Sequence, residues 1–155
     1  MEYIVSACFV GVNCTYDGTH NFVPEIAELV TSGNALPLCP EQLGGLSTPR
    51  TPAEIKGGDG DDVLRGKAFV LTEGGIDVTA AYLRGAREAL RLARIVGAKR
   101  AITKDRSPSC GCEYVWRDHK LVNGKGVMAA LFRREGIEVI AMRCPSSWDG
   151  HEFLP

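Results

Sequence analysis

Six cysteines are spread through the 155 residues, and two of them, Cys110 and Cys112, stand one residue apart in "KDRSPSCGCEY" (Lys104–Tyr114). A disulfide, a zinc site, a redox pair and an iron–sulfur ligand would each use that stretch differently. A disulfide between Cys110 and Cys112 would close an awkwardly small ring and gain little. Four-ligand zinc sites carry paired C-x₂₋₄-C knuckles; Cys110-Gly111-Cys112 is too tight for one and Cys8…Cys14 too wide. Cubane clusters accept thiolates from dispersed loops, and the missing ferredoxin ladder argues against simple electron transfer. Plain packing stays open for each thiol, because free cysteine behaves as a small hydrophobe. Cys144, just past the last apolar run, fits that description.

The elements that must position these thiols are short. Apolar runs at Tyr3–Ala7, Ala35–Leu38, Ala68–Thr72, Ala101–Thr103 and Ile137–Met142 have the length and β-branching of strands buried on both faces. Helical patterns separate several of them. "PEIAELVTSG" has Pro24 in its first turn and Gly33 after its end. The clearest helix starts near Asp77, a good N-cap, and runs to Val96, with Gly97 as its stop. A third covers Gly126–Glu135. Strands alternating with helices predict an α/β fold, a Rossmann-like parallel sheet flanked by helices with right-handed crossovers. "GGDGDD" lacks the spaced oxygens of an EF-hand loop and reads as a solvated turn.

In such a sheet the loops after the strands emerge at the carboxyl edge, where α/β proteins bind ligands. Cys8 closes the first strand, Cys39 closes the second, and Cys110 lies in the loop leaving Ala101–Thr103. All three are therefore expected at one rim, and Cys14 could reach it. Pro40 biases Cys39 towards extended backbone, which would aim Cys39 and Glu41 into one pocket. Pro108 does the same for Ser107, holding a hydroxyl near Cys110. Arg50, after "GGLSTP", could clamp an anionic or carbonyl-bearing ligand. His20, His119 and His151 sit in loops or the tail, where solvated histidine is the expectation.

Composition narrows the classes. Eighteen basic residues balance nineteen acidic ones, which argues against a general nucleic-acid binder. The basic stretch "RGAREALRLARIVGAKR" reads as one solvated helix face. No apolar run approaches the roughly 20 residues of a membrane span. The N-terminus carries Glu2 and lacks a basic signal region, so a cytoplasmic protein is expected. Cysteines in a reducing compartment favour metal or redox chemistry over a disulfide framework. The length suits one domain, residues 1–155.

Four stretches in order, "SACFVGVNCTYDGTHN", "PLCPEQLGGLSTPRTPAEI", "DVTAAYLRGAREALRLA" and "KDRSPSCG", resemble the small bacterial family that contains 2-thiouracil desulfidase. The resemblance spans Ser6 to Met142. It implies non-redox removal of sulfur from a thiolated nucleobase such as 2-thiouracil, giving uracil and sulfide. It further implies an oxygen-sensitive [4Fe-4S] cluster on Cys8, Cys39 and Cys110, which would leave one iron without a protein ligand. Glu41 takes the family's acid–base position and Ser107 that of the assisting serine. Cys14 stands in a family-like "NC-x-YDG", with Thr15 where a basic residue is expected, and Cys112 takes no family role. The partner so implied is a small thionucleobase, handled by a monomer or homodimer. The rival reading is a non-catalytic cluster- or metal-containing sensor for a sulfur compound or nucleobase.

Overall fold

The computed structural model describes residues 1–142. Four parallel strands form the central sheet: β1 (Tyr3–Ser6), β2 (Ala35–Leu38), β5 (Arg100–Lys104) and β8 (Glu138–Met142), in the order β2-β1-β5-β8. Ile4 pairs with Leu36 on one side and Ala101 on the other, and Ala101 pairs in turn with Val139. Period-two alternation divides the core between the sheet's faces. Ile4 and Ala101 join the apolar stripe of α4 (Thr79–Val96) and α5 (Val127–Arg134). Their neighbours Val5 and Ile102 face the other way and pack with Ile26 and Leu29 of α1 (Pro24–Thr31).

The helix ends follow the sequence chemistry. Pro24 opens α1, and Gly97 ends α4 in the left-handed conformation at φ 71°. The N-cap of α4 is Val78, one residue after the expected Asp77, whose Oδ1 accepts from the Thr79 N–H at 2.9 Å.

Two expectations are corrected. The run Ala68–Thr72 does not join the parallel sheet. Its strand, β4 (Phe69–Thr72), pairs antiparallel with β3 (Ala53–Lys56) in a separate hairpin, and Phe69 is 51% exposed. A strand with one wet face has no place between two helical layers. "GGDGDD" is not a bare turn either. Asp59 caps α3 (Gly60–Leu64), accepting from the Asp61 N–H at 3.0 Å, while Asp62 accepts from the Asp59 N–H at 3.0 Å. This reciprocal cap starts a helix. A second hairpin, β6 (Tyr114–Arg117) with β7 (Lys120–Asn123), follows Cys112.

The short helix α2 (Pro40–Leu43) crosses the first turns of α4 at backbone contact. A Cβ on Gly85 would stand 1.9 Å from the Pro40 carbonyl oxygen, and one on Gly44 2.1 Å from that of Ala81. Only glycine permits this crossing. It presses the segment carrying Cys39 and Glu41 against α4. Among the described residues, no helix is long and apolar enough to cross a membrane. Cys144 and His151 lie outside the described residues.

Candidate functional site

β2, β1 and β5 are adjacent, so the residues following them meet at one edge. Cys8 lies in a single 3₁₀ turn, Ala7–Val10, directly after β1. Cys39 follows β2 with φ −121° and ψ 113°, the extended backbone that Pro40 favours. Cys110 ends the loop after β5, its carbonyl accepting from Thr103 Oγ1 at 2.8 Å. These three line one cavity of ≈ 370 Å³, together with Cys14, Glu41 and Ser107. All four cysteines are buried.

Glu41 is the charged group at the centre, only 7% exposed. Cys39 Sγ donates to its Oε2 at 3.4 Å. Its Oε1 accepts from Ser107 Oγ at 3.4 Å and, much more closely, from Ser109 Oγ. The Ser107 oxygen in turn accepts from the Ser109 and Cys110 N–H groups, each at 3.2 Å. Ser109 also reaches Cys110 Sγ at 3.5 Å. Cys39 and Glu41 share a pocket as expected, although the extended backbone ends at Cys39 and Glu41 belongs to the first turn of α2.

The remaining loops hold this arrangement in place. Arg50 does not present a free clamp: its Nη2 donates to the Cys14 carbonyl at 2.8 Å, and its Nη1 to Thr48 Oγ1 at 3.2 Å. It therefore fixes the Cys14 loop across the cavity. Thr15 bonds to Asp17 at 2.5 Å and to Thr19 at 3.0 Å, closing a polar turn at the mouth. Cys112 turns away. Its Sγ packs near the Val139 carbonyl at 4.0 Å within the α4–α5 core, and its N–H donates to Asp105 Oδ1 at 3.0 Å. Gly111, between the two cysteines, packs directly on backbone: a Cβ there would sit 2.5 Å from the Tyr114 carbonyl oxygen. His20 and His119 are exposed, His119 at the outer rim.

The thiols differ electrostatically. A hydrogen bond from Cys14 draws the Cys8 thiol below its ordinary pKa, and Lys104 acts in the same direction, against the effect of burial. Hydrogen bonds with Cys39 and Cys8, together with burial, push the Cys14 thiol far above its ordinary pKa. Burial pushes Cys110 up, and the Glu41 charge adds to it.

These residues fit a sulfur-rich, polynuclear group. Four buried thiols line this one cavity, a soft donor set. A cubane gives each thiolate its own iron and suits wider spacing. Asn21 adds an independent sign. Its Nδ2 is buried without a hydrogen-bond partner. It stops short of a proper bond to Cys8, yet lies close enough to favour the thiolate. A buried amide N–H left open calls for an acceptor that the chain does not provide.

Sequence reasoning missed Ser109, Asn21 and Tyr82. Ser109 directly precedes Cys110 but repeats no spacing of its own; Asn21 and Tyr82 stand in no spacing pattern that betrays them.

A structure of the [4Fe-4S]-dependent thiouracil desulfidase TudS superposes with a TM-score of 0.80 at 39% identity, covering 90% of this chain and 89% of that one. The YbbK protein of Bacillus subtilis (strain 168) is 44% identical over 141 residues, 89% of this chain and 93% of its own length. The sequence model of the 2-thiouracil desulfurase family matches residues 3–143. On that span, the chain belongs to the 2-thiouracil desulfurase family.

Proposed function

We propose that this protein hydrolyses the C–S bond of 2-thiouracil or a closely related thiolated nucleobase, releasing uracil and sulfide. Cys8, Cys39 and Cys110 hold a [4Fe-4S] cluster, and one iron keeps a position free of protein. The observation that carries this reading is Glu41, a buried carboxylate set among thiols that come from the ends of three adjacent strands. Family membership and the likeness to TudS support it.

When bound, the cluster supplies a soft Lewis acid suited to thiocarbonyl sulfur. The chain supplies proton control. Once Cys39 gives up its proton to become a ligand, Glu41 Oε2 loses its present donor and faces the cavity as a free acceptor. Glu41 then takes a proton from water as the water oxygen bonds to the ring carbon. The same carboxyl returns that proton to sulfur as the C–S bond breaks. The proton left on the new hydroxyl passes by way of Glu41 to the departing hydrosulfide as the carbonyl forms. Water and thiouracil become uracil and hydrogen sulfide, with no net electron transfer. Ser107 and Ser109 hold Oε1 and fix which oxygen acts.

Every side chain in this scheme comes from one chain, so a monomer or a homodimer would serve equally. A thiolate-held cluster suits a reducing compartment such as the cytoplasm. Anaerobic reconstitution with iron and sulfide tests the reading. About four irons and four acid-labile sulfides per chain are expected, with turnover of 2-thiouracil. Stoichiometric zinc, or no metal after careful reconstitution, would overturn it.

A further inference from the structure

Tyr82 is buried to 5% exposure on the first turns of α4 and lines the thiol cavity beside Glu41. The glycine crossing puts it there. Because Gly85 lies on the Pro40 carbonyl and Gly44 on that of Ala81, α4 comes near enough for Tyr82 to line the cavity. Packing explains the ring, since Tyr82 belongs to the core cluster with Ala86 and Leu38. It does not explain the hydroxyl. No hydrogen bond among the described residues engages it, whereas its polar neighbours are committed. Glu41 is held by Ser107, Ser109 and Cys39, and Arg50 by the Cys14 carbonyl.

Tyr82 lines the cavity and no group among the described residues holds its hydroxyl, which is therefore available to whatever binds there. Resting on the thiobase function above, we propose that the Tyr82 hydroxyl donates to the carbonyl that 2-thiouracil retains, the one at ring position 4, and so selects an oxygenated pyrimidine for the cavity. A neutral phenol carries one O–H to donate, which a ring carbonyl accepts. That carbonyl is unchanged by the reaction. A bond to it stabilises substrate and product alike and is read in KM rather than kcat. Tyr82 is thus a specificity-determining residue for an oxygenated pyrimidine.

The test uses the reconstituted holoprotein and Tyr82→Phe, which keeps the ring and removes one oxygen. Iron per chain and Tm confirm that the variant is folded and loaded. Binding of uracil and of pyrimidin-2-one, which lacks the position-4 carbonyl, is measured by titration calorimetry. Uracil should bind the variant about fivefold more weakly, the worth of one neutral hydrogen bond, while pyrimidin-2-one binds both proteins equally. KM for 2-thiouracil should rise by the same factor with kcat little changed. Equal uracil affinity in the two proteins, or equal weakening of both bases, overturns the role of Tyr82 while leaving the function intact. Wild-type holoprotein that binds neither base and releases no sulfide overturns the function, and this inference with it.

Discussion

Ser109 and Glu41 lie 68 positions apart in sequence, and the Ser109 hydroxyl donates directly to Glu41 Oε1. The same hydroxyl touches Cys110 Sγ at 3.5 Å. One serine therefore links the carboxylate to the third cysteine. Glu41→Gln should retain its iron and lose about 10²–10⁴-fold in turnover, the worth of a positioned general base. Ser109→Ala should lower kcat by about tenfold, as expected for one hydrogen bond to a charged group, with iron content unchanged. Loss of iron in either variant would move that residue from proton control to cluster support.

The four cavity cysteines should separate by iron content. Cys8→Ala, Cys39→Ala and Cys110→Ala each remove a thiol fixed at a strand end, and each should fail to retain a full cluster. Cys14 comes from a turn tied down by Arg50, so Cys14→Ser should keep most of the iron. Cys112→Ala should keep it all, because that thiol faces the α4–α5 core. Iron assay and the cluster's visible absorption check the whole series. An intact cluster in Cys8→Ala would remove Cys8 from the ligand set.

Gly85→Ala places a methyl group where the Pro40 carbonyl stands. The expected loss of stability is about 2–3 kcal/mol, the upper range for overpacking against backbone. Because Cys39 and Glu41 ride on the displaced segment, turnover should fall as well. Denaturant titration and a steady-state assay measure both, and a variant as stable as wild type would contradict the crossing.

Asp59 offers a contrast far from the chemistry. Its carboxylate caps α3 and also accepts from the Lys125 N–H at 3.2 Å. Asp59→Ala should cost about 1 kcal/mol, as for other N-caps, and leave kcat unchanged. The reciprocal bond from the Asp59 N–H holds the Asp62 carboxyl below its usual pKa. Its contribution is therefore complete above the ordinary aspartate range and fades as pH falls through the lower, folded value. Acid titration of wild type against Asp62→Asn should show that component disappear in the variant.

The parallel sheet was legible because Ile4, Val5, Ala101 and Val139 belong to runs that are apolar on both faces, a pattern that only a covered sheet explains. The strand-end cysteines followed from it. The two hairpins were harder: "AEIK" and "YVWR" mix charge with apolar residues and have one face in water, so they look like loops. The cap on α3 was hidden because aspartate takes the place of the usual glutamate at its third position. Ser109 and Tyr82 were invisible for a different reason. Their roles arise from contacts across tens of residues, and nothing local in "SPSC" or "AAYL" announces them.

The central claim is that water, activated by Glu41, replaces sulfur on the ring without electron transfer. The direct measurement is turnover of 2-thiouracil by anaerobically reconstituted protein in ¹⁸O-water with no reductant present. The account predicts equal amounts of uracil and sulfide, with one ¹⁸O in each uracil formed. A requirement for added electrons, or uracil without the label, would contradict it.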